Sequence, residues 1–535
     1  MDLCFLGAAR EVTGSRYLLS TKEKNILIDC GMEQGHDTYE NQELPVMASE
    51  IECLVLTHAH IDHSGMVPRL FKEGFRGPVY ATKATTALCG IMLKDSAHIQ
   101  EYEAEWRNRK AKRAGSEPYV PIYTMEDAEG VLKQFKSIPY NESFQILENV
   151  SLVLTDAGHL LGSASATLQI QEKGETRRIV FSGDIGNLHQ PIIKDPHYLK
   201  EADYVVMEST YGDRLHGKRP DYIADLCDVL QTTFDRGGKV VIPSFAIGRS
   251  QEMLYFLREI KQKKLIKGHE GWPVFMDSPL AIKATSIFNQ CDDTNFDKEM
   301  RDLIDRGINP LHFDDLQLCV TPDESKAINF HEGPGVIISA SGMAEAGRIR
   351  HHLKHNLWKP EATILFVGYQ SVGTLGRLIL EGLKEVRLFD DTIHVQATIR
   401  SLQAISGHAD ADGLFTWAQS FDPKPLGYFI CHGEESVALT FAKRLEDSGL
   451  ETNVPYNGDV WDLVTGLQTN EGNPALVRAK KRNPSPQTKA PSMTDRKLQS
   501  ASDRMTGLLE KARSYSNNLK SDLAEQLEKV LTKWE

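Results

Sequence analysis

Long apolar runs are missing from this 535-residue chain, and with them any helix able to span a bilayer. Cysteine is sparse and scattered. Its eight copies (Cys4, Cys30, Cys53, Cys89, Cys227, Cys291, Cys319 and Cys431) form no Cys-x-x-Cys pair, which argues against a thiolate metal site and a disulfide frame. The opening stretch from Met1 to Gly7 lacks the basic flank and apolar core of a secretory leader. Together these features predict a cytoplasmic protein with reduced thiols and no membrane partner. No internal repeat or long low-complexity tract interrupts the chain.

Positive charge is also in short supply. Lys and Arg number 61 against 74 Asp and Glu, a net −13, which argues against nucleic-acid binding over the whole surface. The deficit is uneven: residues 466–535 carry 13 basic and 8 acidic side chains, leaving −18 on the rest. Such an acidic body can still bind RNA where metal ions and a few arginines make one cleft locally positive. What the chain does have is 41% hydrophobic and 25% charged residues, the balance of a soluble globular protein. Its length exceeds one ordinary core, so two or more domains are expected.

Apolar runs ending in turn chemistry read as strands at Tyr17 to Leu19, Asn25 to Asp29, Glu52 to Thr57, Val150 to Thr155, Ala164 to Ile170 and Arg178 to Phe181. The first segment, to about residue 90, reads as strands. Residues 90–137 read as densely charged helix, broken between Gly115 and Pro121. From about residue 200 the rhythm becomes strand then helix. Tyr204 to Glu208, Lys239 to Ile242, Val274 to Asp277, Gly335 to Ser339 and Thr363 to Val367 are the strands; Tyr222 to Phe234 and Arg249 to Lys261 are helices. That alternation predicts a mostly parallel sheet flanked by helices.

The chemistry concentrates in Thr57-His58-Ala59-His60-Ile61-Asp62-His63, directly after a strand. Imidazole and carboxylate are ligands for first-row metals, and zinc accepts both. Neutral histidines so crowded gain little without an ion. His159 in Asp-Ala-Gly-His-Leu-Leu-Gly, Asp184 in Phe-Ser-Gly-Asp and His432 in Ile-Cys-His-Gly each follow a strand with glycine close by. Asp184 suits a bridge between two ions.

In this order Asp29, the His58 to His63 run, His159 and Asp184 resemble the motifs of the metallo-β-lactamase fold. Glu208 in Met-Glu-Ser-Thr-Tyr-Gly, His408 in Ser-Gly-His-Ala-Asp and His432 in Cys-His-Gly resemble the additional motifs of its β-CASP branch, and the resemblance runs from residue 1 to about 465. It implies an α/β chain: an αββα sandwich with an inserted β-CASP domain of mostly parallel sheet, plus a C-terminal helical tail. The expected divisions are residues 1–195 and 393–465 for the two parts of the sandwich, the latter an RNA-specificity segment. Residues 196–392 are expected to form the insertion, and 466–535 a basic linker and amphipathic helix.

The resemblance also implies two Zn²⁺ per chain. One is expected on His58, His60, His159 and Asp184, the other on Asp62, His63, His432 and the shared Asp184, with Asp29 orienting a ligand histidine. It implies hydrolysis of RNA phosphodiesters through a metal-bound hydroxide, with Asp62 and Asp184 in the catalytic set. His408 either protonates the leaving oxygen or orients the phosphate, and Glu208 is its hydrogen-bonding partner.

Three loops place small residues between a strand and an arginine: Pro243 to Arg249, Ser339 to Arg348 and Gly368 to Arg377. Backbone amides and arginine bind phosphate in such settings, which makes Ser341, Gly342, Arg348, Arg377 and Arg249 candidate RNA contacts. A DNA nuclease of the same branch, a small-molecule hydrolase and a non-catalytic scaffold are the alternatives. In the family, enzymes acting on DNA typically carry valine where this chain has His432, which favours RNA. Endonucleolytic and 5′-exonucleolytic action use the same residues and stay open.

After Arg478-Ala-Lys-Lys-Arg482 and the proline-rich stretch to Pro491, an apolar stripe runs through Leu508, Ala512, Tyr515, Leu519, Leu523, Leu527, Val530 and Trp534. Its three- and four-residue spacing predicts an amphipathic helix. That helix packs on its own chain or carries a homodimer or partner-protein contact.

Overall fold

The computed structural model describes residues 1–474 except 35–40, 115–116, 218–219, 372 and 403–405; beyond 474 it describes only residues 512, 520, 521 and 523–526. The basic linker lies outside the described residues, and so does most of the expected C-terminal stripe. Met1–Val477 form one compact unit.

Two sheets form the first layer pair. An eight-stranded sheet contains Asp2–Gly7, Arg16–Ser20, Asn25–Ile28 and Ile51–Val55 at its centre, and a seven-stranded sheet contains Val150–Asp156, Ala164–Glu172, Glu175–Phe181 and Tyr204–Glu208. Period-two alternation decides what each residue faces. Leu3, Phe5, Ile26, Ile28 and Val55 meet Leu152, Leu154, Leu168, Ile179 and Phe429 between the sheets. Their neighbours Leu18, Leu27 and Leu54 turn outward under Leu70, Leu88 and Leu93. On the far side Val180, Val205, Met207 and Ile430 pack beneath Leu414, Trp417, Phe441 and Leu445, which belong to helices Ala411–Ala418 and Glu435–Asp447. The result is the expected αββα sandwich.

The chain leaves this sandwich after Tyr204–Glu208 and returns to it more than two hundred residues later. Gly427–Cys431 pairs in parallel with that same strand, Tyr204 opposite Gly427 and Glu208 opposite Cys431. Between them lies a six-stranded sheet whose pairings are all parallel. Its strands are apolar on both faces because helices cover both, as parallel sheets require. Val240, Ile242, Val274 and Met276 face one helical layer; Val241, Phe275, Ile337 and Ile364 face the other. Helix Tyr222–Asp235 is typical of these covers. Asp221 caps its start by accepting from the Ala224 amide, and Tyr222, Leu226, Val229, Leu230 and Phe234 make its buried stripe.

Several boundaries differ from the sequence reading. Tyr204–Glu208, placed in the expected insertion, lies in the seven-stranded sheet of the sandwich. Leu467–Asn470, placed in the expected linker, pairs with Val460–Asp462 as the edge of the eight-stranded sheet. Phe135–Ser137, expected as helix, is a strand. The long helix begins at Lys83, inside the segment expected to be strands, with Thr82 Oγ1 accepting from the Thr85 amide at its start. The inserted sheet extends past residue 392, because Thr398–Ser401 pairs with Thr363–Phe366 as its edge strand. A four-residue strand carries too little pattern to announce which sheet it joins.

Candidate metal centre

Except for His408, every motif side chain sits at or just past the carboxyl end of a strand. Asp29 follows Asn25–Ile28, the His58 loop follows Ile51–Val55, His159 follows Val150–Asp156, Asp184 follows Glu175–Phe181, and His432 follows Gly427–Cys431. Glu208 is itself the last residue of Tyr204–Glu208. Because these strands lie side by side in two facing sheets, residues far apart in sequence converge at one rim. Tight backbone makes the convergence possible. Gly183 has φ +57°, and a Cβ there would meet the Thr57 Cβ at 2.8 Å. Asp29 and His432 hold left-handed φ values of 55° and 46°, a conformation costing about 1 kcal/mol for non-glycine residues and common where a side chain must be aimed.

Seven side chains form two groups sharing Asp184. In the first, His58 Nε2 lies 3.1 Å from His60 Nδ1, and His159 Nε2 lies 3.2 Å from the same atom. Asp184 Oδ2 is 3.3 Å from His58 and 3.4 Å from His159. In the second, His63 Nε2 is 3.1 Å from His432 Nε2, and Asp62 Oδ2 is 3.7 Å from His432. Asp184 Oδ1 is 3.2 Å from His63 and 3.6 Å from His432. Each carboxylate oxygen of Asp184 thus faces one group.

Partners behind the rings set which nitrogen points inward. Asp29 Oδ2 binds His63 Nδ1 at 2.8 Å, and Thr57 donates its amide and hydroxyl to the two Asp29 oxygens. His159 Nδ1 donates to the Gly407 carbonyl at 3.0 Å, and His432 Nδ1 lies 3.1 Å from Thr210 Oγ1. The inward nitrogens are left facing one another. Desolvation and the neighbouring rings hold the His58, His60 and His159 pKa values below the ordinary range, His60 down to about 3, so their inward lone pairs are free. Burial opposes ionisation of Asp62 and Asp184, yet the surrounding histidines hold both carboxyls below the usual carboxylate range.

These residues fit metal ions. In the first group, neutral imidazole lone pairs about 3 Å apart repel unless something lies between them, and Asp184 Oδ1, buried 3.2 Å from His63 Nε2, has no hydrogen-bond partner among the described residues. Tetrahedral ligands at zinc–nitrogen distances stand about 3.3 Å apart, close to the separations in the first group. Cations supply the missing partner for the lone pairs and the orphaned oxygen alike.

A third group adjoins the first two. His408 Nδ1 lies 3.1 Å from Glu208 Oε2, and its Nε2 lies 3.9 Å from Asp184 Oδ2. Glu208 is fixed from behind, Oε1 accepting from the Ile185 amide at 2.5 Å. Desolvation disfavours the His408 cation, but the Glu208 and Asp184 carboxylates outweigh it and hold the ring near pKa 9. Two contacts escaped the sequence reading. His216 Nε2 donates to the His408 carbonyl at 2.9 Å, and the Tyr211 ring stands edge-on to His408 at 6.0 Å. Neither carries a spacing signal, since His216 lies 192 residues from its partner.

The five candidate phosphate contacts fall elsewhere, at the carboxyl edge of the six-stranded sheet. Arg348 is engaged within the fold: its Nη1 donates to the fully buried Asp277 at 2.7 Å and to the Cys319 carbonyl, its Nη2 to the Val320 carbonyl. Arg377 pairs with Glu381 at 2.6 Å, and Arg249 pairs with Glu252. Ser341 Oγ accepts from the Ala346 amide, and Gly342 lies against the Phe245 ring.

The fold and this rim define a metallo-hydrolase. The description of a metallo-beta-lactamase superfamily domain matches residues 18–203, that of a Beta-Casp domain residues 250–379, and that of a Zn-dependent metallo-hydrolase RNA specificity domain residues 392–455. A ribonuclease of Thermus thermophilus is 37% identical over 462 residues, spanning 86% of this chain and 99% of the relative. The transcription termination factor FttA of Methanocaldococcus jannaschii is 33% identical over 473 residues, 85% of this chain and 70% of that one. The chain belongs to the β-CASP branch of the metallo-β-lactamase superfamily.

Proposed function

We propose that this chain is a zinc-dependent ribonuclease, and the observation that carries the reading is the His408–Glu208 pair set against the shared Asp184. A metal site alone serves many hydrolases. A histidine held by one carboxylate, with its second nitrogen at the mouth of that site, adds a proton donor for an alkoxide leaving group.

In this reading two zinc ions bind per chain, one to His58, His60, His159 and Asp184, the other to Asp62, His63, His432 and Asp184. Bound there, zinc supplies positive charge for the phosphate and brings the pKa of water to about 7. The protein does the rest. Asp29 and the Gly407 carbonyl fix the inward tautomers of His63 and His159. Asp184 holds the two groups in register. As water attacks phosphorus and the bond to the 3′ oxygen breaks, His408 Nε2 gives its proton to that oxygen, while Glu208 stabilises the ring through Nδ1. His216 holds the His408 backbone in place.

RNA is favoured over DNA by His432 at the last motif and by the match to an RNA specificity domain. The Thermus relative, named a ribonuclease, supports the same substrate. A cytoplasmic setting agrees with eight free cysteines. No described helix is long and apolar enough to cross a membrane. We also propose that the C-terminal stripe from Leu508 to Trp534 serves self-association or a partner protein.

The test uses RNA oligomers labelled at either end, with and without a 5′-monophosphate, alongside zinc determination by plasma mass spectrometry. Zinc-dependent cleavage of RNA, lost on chelation, is expected, and the end-label pattern separates endonucleolytic from 5′-exonucleolytic action. Two zinc ions with no cleavage of any RNA would leave a scaffold; preference for single-stranded DNA would leave the DNA-cleaving alternative.

A further inference from the structure

The inserted sheet ends in three neighbouring loops, after Gly335–Ser339, Lys239–Pro243 and Thr363–Phe366, in that spatial order. In open parallel sheets the crevice at the carboxyl ends of the strands is where ligands settle. Two large aromatics stand open on this edge, Phe245 and Tyr369, each 47% exposed. A single exposed aromatic is ordinary. Phe245 packs on Gly342, and Gln370 links Tyr369 to the same glycine. One face of the Phe245 ring rests on Gly342, where an added Cβ would fall 3.0 Å from the ring. Gln370, buried beneath, donates its amide to the carbonyls of Gly342 and Tyr369 at 3.1 and 3.2 Å, tying the loops together.

The edge adjoins the metal centre on two sides. A Cβ on Gly248, in the Phe245 loop, would lie 3.3 Å from Leu160, the residue after His159. The Tyr369 hydroxyl lies within electrostatic range of Tyr211 and Arg214, and Tyr211 is the ring beside His408. The two residues these approaches reach, His159 and His408, are neighbours, their rings 4.4 Å apart.

Charge points the same way. The arginines of this edge are already matched by acids: Arg249 with Glu252, Arg348 with Asp277, Arg377 with Glu381 and Arg214 with Asp213. An arginine held by an acid must give up that partner before it meets a phosphate, which lowers what these side chains add to affinity. Aromatic faces bind bases without positive charge and tolerate any sequence.

We propose that Phe245 and Tyr369 are stacking platforms for unpaired nucleobases on the two sides of the scissile phosphodiester. The inference rests on the ribonuclease reading and names the substrate class as single-stranded RNA. Paired bases, stacked inside a duplex, cannot reach either ring.

The experiment measures kcat and KM of the zinc-loaded chain on a single-stranded RNA oligomer and on versions carrying one abasic nucleotide beside the cleavage site. F245L and Y369L keep apolar packing and remove the ring face; F245W and Y369F keep a ring. Each leucine variant should raise KM about tenfold, as should the matching abasic substitution in the unaltered protein. Combined, the two changes should cost no more than either alone, and the ring-keeping variants should hold KM near its original value. KM for RNA should also depend only shallowly on salt. Leucine variants within twofold of the original, or losses that multiply with the abasic change, would overturn the platforms. The same coupling on a single-stranded DNA oligomer, with RNA uncleaved, would uphold the platforms and overturn the RNA reading.

Discussion

His408 and Glu208 come within 3.1 Å of each other although two hundred residues separate them. Glu208 ends the strand at which the chain leaves the sandwich, and His408 lies on the path by which it returns. Both ends are held by the sandwich, Glu208 on its strand and His408 through a bridge to Gly186, so the pair forms where the chain's return docks beside its point of departure.

Removing the pair should affect chemistry more than metal binding. His408→Ala should lower kcat for RNA by about a hundred- to ten-thousandfold while the zinc content is retained, since general acids contribute on that scale. Glu208→Gln should lose less. Parallel kinetics and plasma mass spectrometry measure both, and loss of metal from His408→Ala would move His408 into the ligand set.

Asp184→Asn should behave differently, because one oxygen of that carboxylate faces each ligand group. Metal content and cleavage should fall together. Chelation of the unaltered chain should lower its Tm, since an ion that binds only the folded state stabilises it. Calorimetry with and without chelator reads this; an unchanged Tm would exclude metal as part of the folded rim.

Arg348→Ala should destabilise the fold by about 3 kcal/mol, because it strips the buried Asp277 of its guanidinium partner. Arg377→Ala, at an exposed pair with Glu381, should leave stability nearly unchanged. Urea denaturation compares the two. Equal, small effects would return Arg348 to the list of free phosphate contacts.

Asp156 lines a cleft of about 690 Å³ with Tyr140, Lys194 and Asp292. Burial pushes its carboxyl up to about 7, against the Gly158 amide and Lys194. A carboxyl raised on folding holds its proton in the native state and loses it in the unfolded chain. Its contribution to stability therefore falls as pH rises from about 4 through 7. Asp156→Asn should then be more stabilising at pH 8 than at pH 5, by about 2 kcal/mol given partial solvent access. Urea midpoints at the two pH values give the comparison, and a pH-independent effect would remove the buried charge as its cause.

Much of the site was legible before any coordinate. Ligand chemistry is carried by residue type, and the run His58 to His63 concentrates it within six positions. The main strands were legible too, because parallel and sandwich strands are continuous apolar runs. The duty of Arg348 was not. A glycine-rich loop ending in arginine looks the same whether the guanidinium faces solvent or a carboxylate, and Asp277 lies 71 residues away. Phe245 and Tyr369 were equally silent, since exposure is a property of neighbours rather than of spacing.

The sequence by itself determined the donor set, the strand ends that present it and the family. Only the tertiary structure decided which nitrogen of each histidine turns inward, that Asp184 faces both groups, and which arginines are already matched by acids. The reason is physical: residue identity fixes what a side chain can bond, and packing across long sequence separations fixes what stands within 3 Å of it.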